Sequence, residues 1–209
     1  NEIERVKSIK FLGVIIDEDL KWKIHVNNIL CTISRNICIM NRMKDFLPEH
    51  VLILLYNSLI LPYLNYCNIN WGSCNKYLLD RIYKLQKRAI RIITQSSFLA
   101  HTRPLFLKCK ILPIFELYKY NLGIFMYSYH NKMLPANFNA LFSQNIDVHS
   151  YNTRSKFDYR SNYGRSTFSR TNIVYTGPML WNSLPAEFKE SRTLNTFKRK
   201  FKDYLLKSL

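Results

Sequence analysis

The chain has 209 residues with 47% hydrophobic and 14% aromatic side chains. That is enough apolar material to exclude a disordered polymer and to need no disulfide staples. Its 31 Lys and Arg against 14 Asp and Glu give a net charge of +17, and a self-repelling surface of this kind has a polyanion as its natural partner.

The excess charge is uneven. Residues 1–50 carry eight basic and seven acidic side chains, and residues 51–209 carry 23 and seven. Five cysteines (Cys31, Cys38, Cys67, Cys74 and Cys109) form no CxxC pair, and their odd number argues against a disulfide framework. They are expected to be buried, small apolar thiols in a reducing, intracellular compartment. The longest uncharged apolar run, residues 51–66, is shorter than the ~18 residues a membrane span needs and contains Pro62, so no membrane partner is expected. The chain opens on Asn1-Glu2-Ile3-Glu4-Arg5 without Met and enters a strand pattern directly, which reads as a piece of something longer.

Residues 8–17 are β-branched and aromatic and predict one buried strand, with Gly13 marking a kink. Asp17-Glu18-Asp19 is expected to lie at the N-terminus of the following helix, where the dipole favours acids. In that helix Trp22, Val26, Ile29, Ile33, Ile37 and Met40 recur three or four apart and form its apolar face. Pro48 suits the first turn of a second helix, over 49–61, which is apolar almost all round and so expected at the centre of the core. Pro62 ends it, and residues 63–71 continue as aromatic packing up to Gly72.

Asn75 is a plausible cap for a helix over 76–94. Its apolar stripe is Leu78, Ile82, Leu85, Ala89 and Ile92; its basic stripe is Arg81, Lys84, Arg88 and Arg91, with Lys87 beside it. The stripes are offset by one residue, about 100° around the helix, so one side can pack while its neighbour displays cations. Short helices are predicted from Thr102 and Pro113. Residues 149–171 read as an irregular arm with short strands, in which Arg154, Lys156, Arg160, Arg165 and Arg170 interleave with Phe157, Tyr159, Tyr163 and Phe168. Such aromatics either stack bases or cover a core. Residues 172–176 could be a strand, residues 178–184 a short helix, and Leu194, Phe197, Phe201, Tyr204 and Leu205 the apolar face of a last helix.

No autonomous active site is legible. Asp17, Glu18 and Asp19 are adjacent and would point apart, and His25, His50, His101, His130 and His149 are scattered away from metal-ligand spacing. No GxSxG elbow or glycine-rich phosphate loop occurs. The expectation is therefore no catalytic residue, no metal and no cofactor in this chain, no small-molecule substrate, and binding through the ten cations named on the 76–94 helix and the arm.

Phe11-Leu12-Gly13-Val14 followed by Asp17, Leu20, Trp22 and His25 resembles the segment after the catalytic palm motifs in non-LTR retrotransposon reverse transcriptases, particularly jockey-like elements. The resemblance continues through residues 59–67, Trp71-Gly72, residues 85–91, Thr153-Arg154-Ser155, Gly177-Pro178, residues 181–185 and Phe197-Lys198. It implies an RNA-directed DNA polymerase that copies element RNA from a nicked chromosomal primer with Mg²⁺. Its catalytic aspartates would lie upstream, so this chain alone would be inactive. The cysteines do not fit the zinc knuckle that ends some relatives.

The expected architecture is mainly α: a helical thumb-like bundle with an N-terminal strand and a small mixed α+β C-terminal part. Residues 1–20 would be a palm-edge strand segment, 21–143 a helical thumb-like domain and 144–209 a basic arm with helices. The partners would be template–primer RNA and DNA and a missing upstream palm and fingers, with the nucleus as location. The alternative is an orphaned or repurposed protein-interaction fragment without nucleic-acid affinity, whose aromatic surface (Tyr63, Tyr66, Trp71) once met the palm.

Overall fold

The structure, a computed structural model, describes residues 5–148, 154–161, 164 and 166–209; the side chains of Thr167 and Phe168 are outside that description. It is mainly helical, as the sequence predicts, with a short N-terminal sheet. The chain forms two compact units, one running through Phe115 and the other from Glu116 to Ser208.

The first unit begins with a hairpin rather than the single buried strand expected. β1 (Ser8–Phe11) pairs antiparallel with β2 (Val14–Asp17), Phe11 facing Val14. Leu12 and Gly13 make the two-residue connection, both at positive φ (45° and 86°), as a type I′ turn requires. Gly13 adopts this readily; Leu12 is held there by Tyr66, whose hydroxyl donates to the Leu12 carbonyl. All of β1 is exposed and Val14 is buried.

The hairpin leads into α1 (Lys23–Met43), whose buried face includes Val26, Ile29, Ile33, Ile37 and Met40. Asp17 ends β2 and Glu18 and Asp19 stay in the loop after it, so none of the three acids lies in the first turn of α1. Asp17 instead accepts from the backbone N–H groups of Lys21 and Trp22, each at 2.8 Å, which fixes the tight entry where Leu20 and Trp22 are left-handed.

α2 (Glu49–Leu59) buries only Leu52 and Tyr56, and Leu54 is 62% exposed, so it is a surface helix rather than a central one. Pro48 stands at its N-cap. Two short helices follow, α3 (Leu61–Asn65) and α4 (Asn68–Trp71), then α5 (Lys76–Ile93) and α6 (Thr102–Cys109). α1 and α5 pack along each other over the core of this unit. Trp71 is wholly buried, its indole N–H donating to the Tyr66 carbonyl at 2.8 Å, so it is core and not exposed surface. Tyr63 and Tyr66 do remain exposed.

α7 (Ile114–His130) continues into the second unit, which also holds α8 (Asn145–Val148), α9 (Thr167–Thr171), α10 (Ile173–Ser183), α11 (Ala186–Lys189) and α12 (Leu194–Lys207). The strand expected over 172–176 is the start of α10, capped by Asn172, which accepts from the Val174 N–H at 3.0 Å. Among the described residues of the C-terminal part, the β pairing is one bridge, Gln144 to Tyr159, and the other regular elements are helices.

Aromatic rings fill this unit: Tyr127 stacks on Phe197 at 4.7 Å between centroids, and Phe197 on Phe201 at 5.2 Å. Gly123 lets α12 approach α7, because a Cβ there would lie 2.3 Å from the Phe201 ring. Gly to Ala inside a helix ordinarily stabilises by about 1 kcal/mol. Here the methyl meets a fully buried ring, and Gly123→Ala is expected to cost about 2 kcal/mol instead, read as a lower urea midpoint.

Candidate nucleic-acid interface

α5 starts at Asn75, whose side chain accepts from the Tyr77 N–H at 2.9 Å, as its sequence predicts. Of the predicted apolar stripe, Leu78, Ile82, Ala89 and Ile92 are buried and Leu85 half-buried. A residue absent from that stripe, Gln86, is fully buried. It donates to the Tyr56 hydroxyl (2.8 Å) and the Leu112 carbonyl (3.3 Å), and accepts from the Ile114 N–H (2.7 Å), so one amide binds α2, α5 and the entry to α7.

On the neighbouring face Arg81, Lys84, Arg88 and Arg91 span about 80° of the circumference at 100° per residue. Lys84 and Arg88 are exposed. Arg81 is half-buried and donates to Asn27 Oδ1 of α1 at 2.8 Å, with its guanidinium 6.0 Å from the Tyr77 ring centroid. Arg91 is also half-buried and donates through Nε and Nη2 to the Ala100 carbonyl at 3.1 and 3.0 Å. Lys87 lies at the edge of the stripe, its ammonium 4.9 Å from the Tyr83 centroid. The row thus combines two exposed cations with two arginines that also clasp the fold. Each guanidinium carries five N–H donors, so these clasps leave both with donors for a phosphate.

The seam between α1 and α5 holds two depressions. One, of about 700 Å³, is lined by Asn27, Leu30, Cys31, Ser34, Arg35 and Arg81. The other, of about 630 Å³, is lined by Asn41, Lys44, Asp45, Arg88, Arg91, Ile92, Gln95, Ser96 and Phe98. The contribution of α1 was not anticipated from the sequence. Its signal is the spacing of Asn27, Ser34 and Asn41, seven apart and so on one line of the helix, beside Arg35.

The arm belongs to the second unit. Arg154 and Arg160 are exposed, and Lys156 sits with its ammonium 4.8 Å from the centroid of Phe157, itself 63% exposed. Arg170 donates to the Gly164 carbonyl at 3.1 Å. Arg165, Tyr163, residues 151–153 and the Phe168 side chain lie outside the described residues. Tyr159 covers the core. It is buried, its hydroxyl lies 3.0 Å from His130 Nδ1, and its backbone N–H and carbonyl are both held by the Asn182 amide (3.0 and 2.8 Å). Burial pushes its phenol up to about 12, with Tyr129 and Asp147 adding to the shift.

The acidic cluster has local roles. Asp17 caps the loop, Glu18 pairs with Arg5 at 3.1 Å and Asp19 with Lys21 at 2.7 Å. Among the described residues no three His, Cys, Asp or Glu side chains converge. All five cysteines are free thiols, but only Cys109 is buried; Cys31 and Cys38 are exposed, contrary to the expectation for all five. Burial pushes the Cys74 thiol up to about 12 and that of Cys109 up to about 11, which keeps both protonated. No helix among the described residues is long and apolar enough to cross a membrane. Comparison with family models, curated proteins and solved structures gives no match to this chain.

Proposed function

We propose that this chain is the template–primer-binding part of a non-LTR retrotransposon RNA-directed DNA polymerase, gripping RNA and DNA and carrying out no chemistry itself. On this reading polymerisation and its Mg²⁺ belong to a palm and fingers upstream, and the working compartment is the nucleus. The observation that carries the binding part is the cationic face of α5 beside the polar line of α1: regularly spaced guanidinium and ammonium groups with few acids among them. Phosphodiesters ask for this arrangement, because each phosphate neutralised releases condensed counterions. The parentage rests on the ordered resemblance of residues 11–25, 59–72, 85–91 and 177–185 to that family.

The test uses the two exposed cations of the α5 row. Lys84→Glu/Arg88→Glu should weaken binding of a short RNA or DNA at least about tenfold at moderate salt. It should also flatten the log–log salt slope by about 1.4–1.8, at 0.7–0.9 for each phosphate no longer neutralised. The thermal unfolding midpoint should stay within about a degree, since both side chains are exposed. An affinity and slope equal to wild type would refute the assignment of this face. A wild-type chain that binds neither RNA nor DNA would instead favour a protein-interaction fragment.

A further inference from the structure

A phosphate-binding face needs cations; it does not need an aromatic ring held in water. Phe98 is 82% exposed at the rim of the 630 Å³ depression where α5 ends, and the loop that carries it is tied down. Gln95, left-handed at φ 49°, donates through Nε2 to the Lys44 carbonyl at 3.0 Å, anchoring the loop to the end of α1. The Ser96 N–H donates to the Arg91 carbonyl at 3.0 Å, and the Thr94 and Ser96 hydroxyls lie 2.9 Å apart. Beyond Phe98 the Arg91 guanidinium holds the Ala100 carbonyl and lies 5.8 Å from the Phe98 centroid. An apolar ring is therefore presented to solvent by fixed backbone, next to Lys44, Arg88 and Arg91.

We propose that this depression is a subsite for one unpaired nucleotide of a single strand, the base stacked on Phe98 and the adjoining phosphate held by Arg88 and Lys44. The inference rests on the reading of the α1–α5 face as a nucleic-acid interface. Stacking on an aromatic face is open to any base, and the cations hold the backbone beside it. The volume lies within the range of small-ligand sites, roughly 300–1,000 Å³. Asp45 on the lining repels phosphate at its own wall. With the amides of Asn41 and Gln95 it offers acceptors to the amino-bearing edge of a base. A duplex presents no free base face except at its ends, so the subsite discriminates single strands from paired ones.

The experiment measures anisotropy of an end-labelled short single-stranded RNA and of the matching long blunt duplex, with the full chain. Phe98→Leu keeps an apolar side chain and removes the π face; thermal unfolding checks that it folds as wild type does. It should weaken single-strand binding about 5- to 100-fold, the worth of one base–aromatic stack, and leave duplex binding within about twofold. Phe98→Trp should restore the single-strand affinity. A leucine variant that binds the single strand as wild type does, or that loses strand and duplex alike, overturns the subsite and leaves the phosphate-binding face standing. Failure of Phe98→Trp to restore binding overturns it as well. A wild-type chain without affinity for either probe overturns both readings together.

Discussion

Replacing Gln86 with leucine is expected to lower the stability of the first unit by about 3–5 kcal/mol, measured by urea unfolding followed by circular dichroism. The side chain is fully buried and its three hydrogen bonds reach a hydroxyl, a carbonyl and a backbone N–H on different segments. Leucine fills nearly the same volume, so cavity formation contributes little. What remains is desolvation without partners for the Ile114 N–H and the Leu112 carbonyl, and the loss of the Tyr56 partner, each costing about 1–3 kcal/mol. The Tyr56 phenol is raised well above its usual value by burial, an effect that its bond to Gln86 offsets in part. The same change at Lys84, on the exposed face, should move the urea midpoint hardly at all. A Gln86→Leu chain within about 1 kcal/mol of wild type would contradict the view of this amide as the hub of the unit.

Gln86 also marks the limit of what could be read in advance. On α5 the two stripes, the Asn75 cap and the exposed pair Lys84 and Arg88 follow from 3.6-residue periodicity and capping chemistry alone. Gln86 stands four residues after Ile82 and three before Ala89, in the buried phase of α5, but its polar type kept it out of the apolar stripe, and only the convergence of three distant segments gives its amide partners there. Periodicity likewise gave the buried face of α1, but it could not tell which polar residues on the other face share a groove with α5. Around residues 8–17, β-branched composition fits one strand or two equally. The deciding feature is a leucine held at φ 45° by a tyrosine 54 residues away, and nothing local announces that. For 49–61, an apolar composition on every side gave no phase, so the exposed position of Leu54 was not legible. Residues 173–176 have high β propensity yet form a helix, because Gly177, Pro178 and Trp181 bury their side of α10. There tertiary burial outweighs a preference worth at most about 1 kcal/mol. Asn172, a capping residue type, is the better local guide to that segment.

The residues that carried the family resemblance near the N-terminus turn out to share one local task. Gly13 makes the hairpin turn, Asp17 holds the Lys21 and Trp22 N–H groups, and Leu20 and Trp22 take left-handed backbone. His25 closes the arrangement from the first turn of α1, accepting from the Ile15 N–H at 3.3 Å. Their order and spacing are thus what is needed to dock a β-hairpin on a helix, which is a structural reason for the pattern independent of any catalytic step.

That docking should fail in acid. Because the Ile15 N–H donates to His25 Nδ1, the ring must be neutral with its proton on Nε2, which is buried without an acceptor between the Trp22 and Trp71 rings. Burial lowers the His25 pKa below its ordinary 6.5. Between the lowered folded value and the ordinary unfolded one, the unfolded chain binds the extra proton, so stability rises with pH. The contribution is present above about pH 6.5 and is lost as pH falls through the folded value. His130 adds to the same trend in the second unit, lowered by burial and then by the charge of Lys189. The unfolding midpoint should therefore drop between about pH 7.5 and 5. His25→Asn, whose Oδ1 can take the place of Nδ1 without titrating, should reduce that drop, and adding His130→Asn should reduce it further. His25→Ala, which leaves the Ile15 N–H unpaired and a void between two tryptophans, should cost about 3 kcal/mol at neutral pH. An acid-induced drop of the same size in wild type and in the double asparagine variant would show that neither imidazole governs it.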